Sequence, residues 1–579
     1  MTIPIDLRAR AEAWAHGDPD PGDRQELLSL LATAGTPGEA GALASAEIRD
    51  RFAGRLVFGT AGLRGAVGAG PNRMNRAVVR ATTAALAGWL LDNRPDAAGA
   101  GVVVGCDARH RSAQFADETA AVLTGAGIRV HLLPRPGPTP LLAFAVRHLP
   151  AAAGVMITAS HNPPADNGYK LYLADGAQIV PPVDAEIEAR IAGLGPVSRV
   201  PAGSLDGPLV TRHGGEVADS YLAAIIAAVP PPPPGPARDG LRTVYTPLHG
   251  VAGRMAVRAI TQAGFPAPRV VAAQAEPDPD FPTVAFPNPE EPGALDLALA
   301  QAREAGAGLV IASDPDGDRL AVAVPAPGGH GWQALTGDQV GSLLGAFLLE
   351  RTGGGQRLAA TTVVSSTMLS KIAAAAGAGY AETLTGFKWI MRAGGQVPGS
   401  RLVYGYEEAL GYAVTPEVVR DKDGIGAALA ILSLAAAARA AGQSLLDRWD
   451  ALEAAHGVHL TAHLTVPIGV PSEVMARLRA SPPGSLGGMT VTAVTDLAAG
   501  SGPLPPSDVL SYHLAGARAV IRPSGTEPKL KAYLEVVEEP AGRPLAAARQ
   551  AAADRLAPLR AAVTRLMAAG GDRPAAAAP

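Results

Sequence analysis

The chain has a single cysteine, Cys106, in 579 residues. That excludes an internal disulfide framework and fits a reducing compartment. Basic excess is also missing: the formal net charge is −4, which gives no field for a nucleic-acid backbone. No apolar run reaches the ~18 residues of a spanning helix, so no membrane segment is expected. The opening "MTIPIDLRARAEAW" is polar and helical in pattern, without the charged-then-apolar form of a secretory leader. Lysine is scarce. It stands only at 170, 371, 388, 422, 529 and 531 among 49 Lys+Arg, so 43 are arginine. An ammonium shifts its pKa and passes a proton readily, whereas a guanidinium effectively does not. Each lysine therefore marks a place to look, and five of the six fall in the motif-like segments below.

What is present reads as globular: 47% hydrophobic and 18% charged residues. The length implies roughly three to five domains. A soluble cytoplasmic protein is expected.

The first 50 residues read as helices without a functional signal. From there the pattern alternates strand and helix. "GVVVGCDAR" (101–109), "IRVHLLP" (128–134) and "GVMITAS" (154–160) are strand-like runs. They predict βαβ units and a mostly parallel sheet, with ligands at the C-terminal strand ends. "VPPPPPGPARDG" (229–240) reads as a linker or surface loop. A second unit follows from 241 and a third covers about 325–450. Their similar patterns suggest structural repeats. The last 120 or so residues differ: "HLTAHLTVPIG" and "KLKAYLEVVEE" alternate with period two, which predicts an antiparallel sheet with helices. The tail "GGDRPAAAAP" has the composition of a disordered segment.

Five stretches carry chemistry. "TASHNPPADNGYK" (158–170) puts Ser160 at a strand end beside His161, with Lys170 closing the segment. Ser160 there is either a nucleophile or an ordinary turn residue. "SDPDGDR" (313–319) sets Asp314, Asp316 and Asp318 at i, i+2, i+4 after a buried strand. Three such carboxylates repel unless a cation sits among them, and oxygen-only ligands suit Mg²⁺. An EF-hand fits poorly, since its Gly and Glu positions would be Arg319 and Pro325. A haloacid-dehalogenase-type phosphatase, with Asp314 as nucleophile, is the better alternative. Arg319 could hold a phosphate by a two-pronged bond. "RPSGTEPKLK" (522–531) gathers Arg522, Ser524, Gly525, Thr526, Lys529 and Lys531, the makings of a phosphate cradle. "YGYEEALGY" (404–412) offers Glu407 and Glu408 to sugar hydroxyls, and "GFKWI" (386–390) sets Lys388 between aromatics. Glu-Glu pairs are common at helix starts, and the Lys388 segment could equally be a packed loop.

Taken with "FGTAGLRG" (58–65), these motifs and their order resemble the α-D-phosphohexomutase superfamily, closest to its phosphoglucomutase-2/phosphopentomutase-like bacterial branch. "YTPLHGVAG", "FPNPEEPGALD", "ETLTGFKWI" and "RDKDGIG" also look like this branch, and the resemblance spans roughly residues 50–540. It implies three similar mixed-sheet α/β domains plus a C-terminal α+β domain around a central cleft. The expected divisions are 1–215, 216–324, 325–452 and 453–579. It implies a phosphoserine at Ser160, and Mg²⁺ held by Ser160, Asp314, Asp316 and Asp318. Residues 522–526 would hold a phosphate, and the 405–411 loop, with Lys388, would contact the sugar. The activity implied is phosphate transfer between O1 and O6 of glucose phosphate through a bisphosphate. Glucose 1,6-bisphosphate would be the activator and sugar phosphates the partners of a monomer. Mannose and pentose phosphates are the alternative substrates. Arg64 and Arg319 would assist transfer. Lys170 is the first candidate for general base and acid, with a pKa depressed by Mg²⁺ and arginine, and His161 the second.

The chain departs from the usual pattern in two places. Typical glucose/mannose mutases read Glu-x-Ser in the sugar loop, whereas Glu407 is followed by Glu408 and Ala409. Gly317 stands where many relatives carry Ala, a change given no weight. A Mg²⁺-dependent phosphatase and a binding protein without catalysis are the competing readings; an intact serine, three aspartates and a lysine argue against the binder.

Overall fold

The computed structural model describes residues 3–59, 62–329, 331–500, 502, 504–525 and 529–569. Its contacts divide the chain into two units, one of residues up to 231, 239–334 and 415–429, the other of the remainder.

The first unit begins with three helices, Ile5–Gly17, Pro21–Ala34 and Glu39–Arg51. They close on a small core of their own that includes Leu7, Ala11, Leu27, Leu31, Ile48 and Phe52. Asp20 starts the second helix by accepting from the Gly22 and Asp23 amides, with Pro21 at the first helical position. A six-stranded sheet follows, in the order Leu63–Ala66, Asp166–Leu173, Ala153–Ile157, Val102–Cys106, Val130–Leu132, Val210–Arg212. Val102–Cys106 is buried throughout and runs parallel to both neighbours. A second sheet has Leu309–Ser313 parallel to Thr243–Thr246 and antiparallel to Leu320–Pro325.

The second unit holds a four-stranded sheet in which Arg357–Thr362 is parallel to Gly379–Thr383 and Arg401–Glu407. Gly411–Ala413 returns antiparallel to Arg401–Glu407. It also holds a six-stranded sheet from Val458–Pro467 to Ser485–Leu486, antiparallel at every assigned pairing. Val458–Pro467 pairs with Lys529–Glu538 along its whole length, and the long helix Leu545–Ala568 packs on both.

The mostly parallel expectation holds for the assigned pairings of the three α/β sheets, with one repeated exception. In each of the three α/β sheets a parallel strand ends in a motif and the chain returns at once as an antiparallel neighbour. The turning segments, 158–165, 314–319 and 408–410, are too short for a crossover helix, so only an antiparallel return is open to them. The three motifs thus occupy equivalent reversals. Among the described residues no single helix is long and apolar enough to cross a membrane.

Candidate active site

The serine segment is held from outside. Ser160 adopts φ 53, in the left-handed region that side chains disfavour. Its amide donates to Thr158 Oγ1 at 2.8 Å. The buried Arg109 guanidinium donates to four carbonyls of the loop: Ser160 and Asn162 at 2.5 Å, Pro163 at 2.7 Å and Asp166 at 3.1 Å. Arg109 also faces Asp107 at 3.5 Å, and burial pushes that carboxyl's pKa up against the pull of the arginine.

Asp314, Asp316 and Asp318 are fully buried, and one oxygen from each lies within 4.8 Å of the others. Ser160 Oγ donates to Asp314 Oδ2 at 2.8 Å, and His161 Nδ1 lies 3.3 Å from the same hydroxyl. Lys170 Nζ donates to Asp316 Oδ2 at 2.6 Å and Asp318 Oδ2 at 2.8 Å, and Lys422 Nζ is 3.3 Å from Asp318 Oδ2. Thr139 Oγ1 donates to Asp316 Oδ2 at 2.6 Å. Arg64 donates to Asn162 Oδ1 at 3.0 Å, and Arg319 lies 3.9 Å from Asp314.

The charges sort by neighbours. Burial and the two adjacent carboxylates push Asp314 well above the ordinary range. Burial works the same way on Asp316, but Lys170 and the Thr139 hydroxyl outweigh it and hold Asp316 low. Burial, Arg319 and Arg64 keep the His161 imidazole well below its usual value. The depression expected for Lys170 depends on Mg²⁺, and the protein's own groups act in the opposite direction. Burial lowers its pKa, but the charges of Asp316 and Asp318 raise it more. Lys170, Lys422, Arg64 and Arg319 thus stand close to the three carboxylates, with Arg109 paired to Asp107, an arrangement suited to an anionic ligand.

A divalent cation fits this donor set. Asp316 Oδ1 and Asp318 Oδ1 are buried and accept no hydrogen bond, and all the carboxylate donors are hard oxygens. Gly317 also proves to matter. It sits at φ 73, and a Cβ there would come 2.7 Å from Ala252 Cβ.

In the second unit Glu408 is buried, and its Oε2 accepts from Ser365 Oγ at 2.8 Å and Thr362 Oγ1 at 3.1 Å. Glu407 and Lys388 are half-buried. Arg522 stacks over the Tyr533 ring at 5.9 Å, Ser524 is half-buried, and Gly525 is exposed. Thr526 lies outside the described residues. Tyr533 links the two loops: burial and the Glu408 charge push its phenol up to about 12, with Arg522 opposing.

Sequence reasoning missed Arg109, Thr139 and Tyr533 and gave Lys422 no role. An arginine among 43 carries no signal, but Lys422, one of six lysines, lay in a quoted motif.

Family models for the phosphoglucomutase/phosphomannomutase alpha/beta/alpha domains I, II and III match residues 55–195, 219–329 and 336–452, and that for the C-terminal domain matches 476–552. The chain belongs to the phosphoglucomutase/phosphomannomutase family. It is accordingly a mutase isomerase of the α-D-phosphohexomutase superfamily, with four family domains. A curated Haemophilus influenzae relative named "Probable phosphomannomutase" is 42% identical, covering 80% of this chain and 93% of its own. One from Schizosaccharomyces pombe named "Probable phosphoribomutase" is 35% identical, covering 91% and 93%. In fold, the chain resembles a phosphoglucomutase/phosphomannomutase family protein from Burkholderia thailandensis, with TM-score 0.67, 21% identity and coverage of 89% and 98%.

Proposed function

We propose that this mutase moves phosphate between O1 and O6 of glucose phosphate, with Ser160 as the phosphoryl carrier. The observation that carries the reading is the Ser160 hydroxyl, 2.8 Å from Asp314 at the edge of a buried carboxylate triad ringed by cations. In the resting state Ser160 would bear the phosphoryl group. The P–O bond to Oγ breaks as one forms to the free sugar hydroxyl, whose proton passes to a base. The opposite phosphate then returns to Ser160 and leaves the isomeric monophosphate.

Asp314, Asp316 and Asp318, with the serine phosphate, would hold Mg²⁺, which when bound would neutralise charge on the transferring group. Arg64 and Arg319 would stabilise the same charge by hydrogen bonds. Lys170 and His161 are the candidate proton carriers. The ring nitrogen reaches the hydroxyl itself, whereas the ammonium is bonded to Asp316 and Asp318. Arg522, Ser524, Gly525 and Thr526 would hold the non-reacting phosphate. Glu407, Glu408 and Lys388 would meet the sugar, with Glu407 the more accessible carboxylate. Glucose 1,6-bisphosphate would recharge a dephosphorylated serine. Domain divisions at 215, 324 and 452, a monomeric state and a cytoplasmic location belong to the same reading.

A pentose phosphate is the second reading. The Schizosaccharomyces pombe relative aligns over 91% of this chain and is named for ribose. A pocket built around phosphates and shared hydroxyls separates such sugars by only about 1–3 kcal/mol. Initial rates with glucose, mannose, ribose and deoxyribose 1-phosphates, each with Mg²⁺ and its bisphosphate, test both. The highest kcat/KM on glucose supports the first reading, and on a pentose the second. Turnover surviving in Ser160→Ala contradicts the mechanism.

A further inference from the structure

We infer that the N-terminal three-helix module positions Ser160, acting through Arg111; this rests on the reading of Ser160 as phosphoryl carrier. The module lies ahead of residue 55, where the match to the family's domain I begins. It meets the serine hairpin along two routes.

The first runs through the turn 107–112. Asp20 and Asp23, both buried, receive the Arg111 guanidinium: Nη1 to Asp23 Oδ1 at 2.6 Å, Nη2 to Asp23 Oδ2 at 2.9 Å and to Asp20 Oδ2 at 2.9 Å. A planar guanidinium held by two carboxylates is fixed in angle as well as in place. Arg111 itself sits at φ 64, which a residue with a side chain rarely adopts unless its surroundings impose it. The other face of the turn holds the serine loop. Arg109 bonds four of its carbonyls, and the His110 carbonyl and Ser112 Oγ each accept from Asn167 Nδ2 at 2.9 Å. One short turn is therefore gripped by the module on one side and grips the hairpin on the other.

The second route runs through residues 67–75. The buried Arg51 donates to the Ala69 carbonyl at 3.0 Å and pairs with Glu26 at 2.6 Å, while Glu26 Oε2 accepts from the Ala69 amide at 3.1 Å. This loop continues the strand Leu63–Ala66, in which Arg64 pairs opposite Gly168 of the hairpin's return strand. The serine loop and the strand that returns from it are thus tied to helices that touch none of the reacting groups. Arg111 is on this view a positioning residue. Its loss would let the loop around Ser160 relax and so act on phosphoryl transfer more than on sugar-phosphate binding.

The test measures the rate at which glucose 1,6-bisphosphate phosphorylates the dephosphorylated full-length enzyme. Intact mass gives the rate and peptide mapping the site, with Ser160→Ala as blank. Asp20→Asn/Asp23→Asn and Arg111→Gln should each slow Ser160 phosphorylation at least fivefold, with KM for the sugar phosphate within twofold of wild type. The triple variant should be no slower than the slower parent, and Arg111→Lys should recover part of the rate. If the double variant does not fold, Asp23→Asn alone is held to the same criterion. A slowing of less than fivefold, or a KM that rises in step with the rate loss, overturns the inference while leaving the carrier in place. A wild-type enzyme that takes up no phosphate on Ser160 overturns both.

Discussion

Arg109→Met isolates the element that shapes the serine loop. The substitution keeps the length of the side chain and removes a buried guanidinium bonded to the carbonyls of Ser160, Asn162, Pro163 and Asp166. Charge-assisted bonds contribute about 1.5–3 kcal/mol each, but four on one guanidinium share a single reorganisation and do not add. The change also strands Asp107, whose carboxyl is buried 3.5 Å from the arginine. Breaking a buried pair from one side costs about 3–5 kcal/mol, which sets the floor. At about 1–2 °C per kcal/mol for a unit of this size, the first unfolding transition should fall by on the order of 5 °C. Thermal unfolding by calorimetry reads that shift, and initial rates read the second effect. Below the transition, kcat should drop well over tenfold, because one guanidinium ties four carbonyls of the serine loop to a single point. Arg109→Lys should recover stability in part and activity little, since an ammonium carries the charge but cannot span four acceptors. A variant within 2 °C or so of wild type, with unchanged kcat, would refute the reasoning.

Other substitutions probe the remaining charges. Lys170→Met removes the ammonium between Asp316 and Asp318 and should cost about 3–5 kcal/mol without added metal. Mg²⁺ should raise the melting temperature of this variant more than that of wild type, and equal shifts would count against a cation site there. Glu535 is held down at about 2, because Arg518, His459 and the Ser366 hydroxyl outweigh burial. Its contribution, on the order of 3 kcal/mol, is present above the ordinary carboxylate range and lost as pH falls from about 4.5 through 2. Glu535→Gln should flatten that acid limb in the unfolding profile. Burial pushes Asp18 up to about 6, so its ionisation opposes folding above that pH. Asp18→Asn can still accept the Asp20 amide and should raise the melting temperature at pH about 8 and leave it unchanged near pH 4.

Much of this site could be read before folding. A strand's buried run ends where its residues turn polar, so Ser160 and the three aspartates were placed at strand ends from pattern alone. Lys170 was harder. Asn167-Gly168 looks like a turn, yet it lies inside the strand Asp166–Leu173. A Cβ on Gly168 would sit 2.6 Å from the carbonyls of both Leu63 and Thr158, so the glycine serves close strand approach. Its neighbours alone cannot reveal that. The same limit hid Arg109 and Arg111, whose partners lie more than 50 residues away in the chain. Nor could the sequence show that Asp316 and Asp318 lie against the Lys170 ammonium, where their charges raise its pKa.

The central claim is that Ser160, and no aspartate, carries the phosphoryl group. Wild-type enzyme labelled from glucose 1,6-bisphosphate carrying ³²P should be quenched, digested and mapped, then chased with unlabelled sugar monophosphate. The account predicts acid-stable label on the peptide containing Ser160, none in Ser160→Ala, and release of the label into sugar phosphate. Acid-labile label on the peptide containing Asp314, or label leaving only as inorganic phosphate, would contradict it and make the protein a phosphatase.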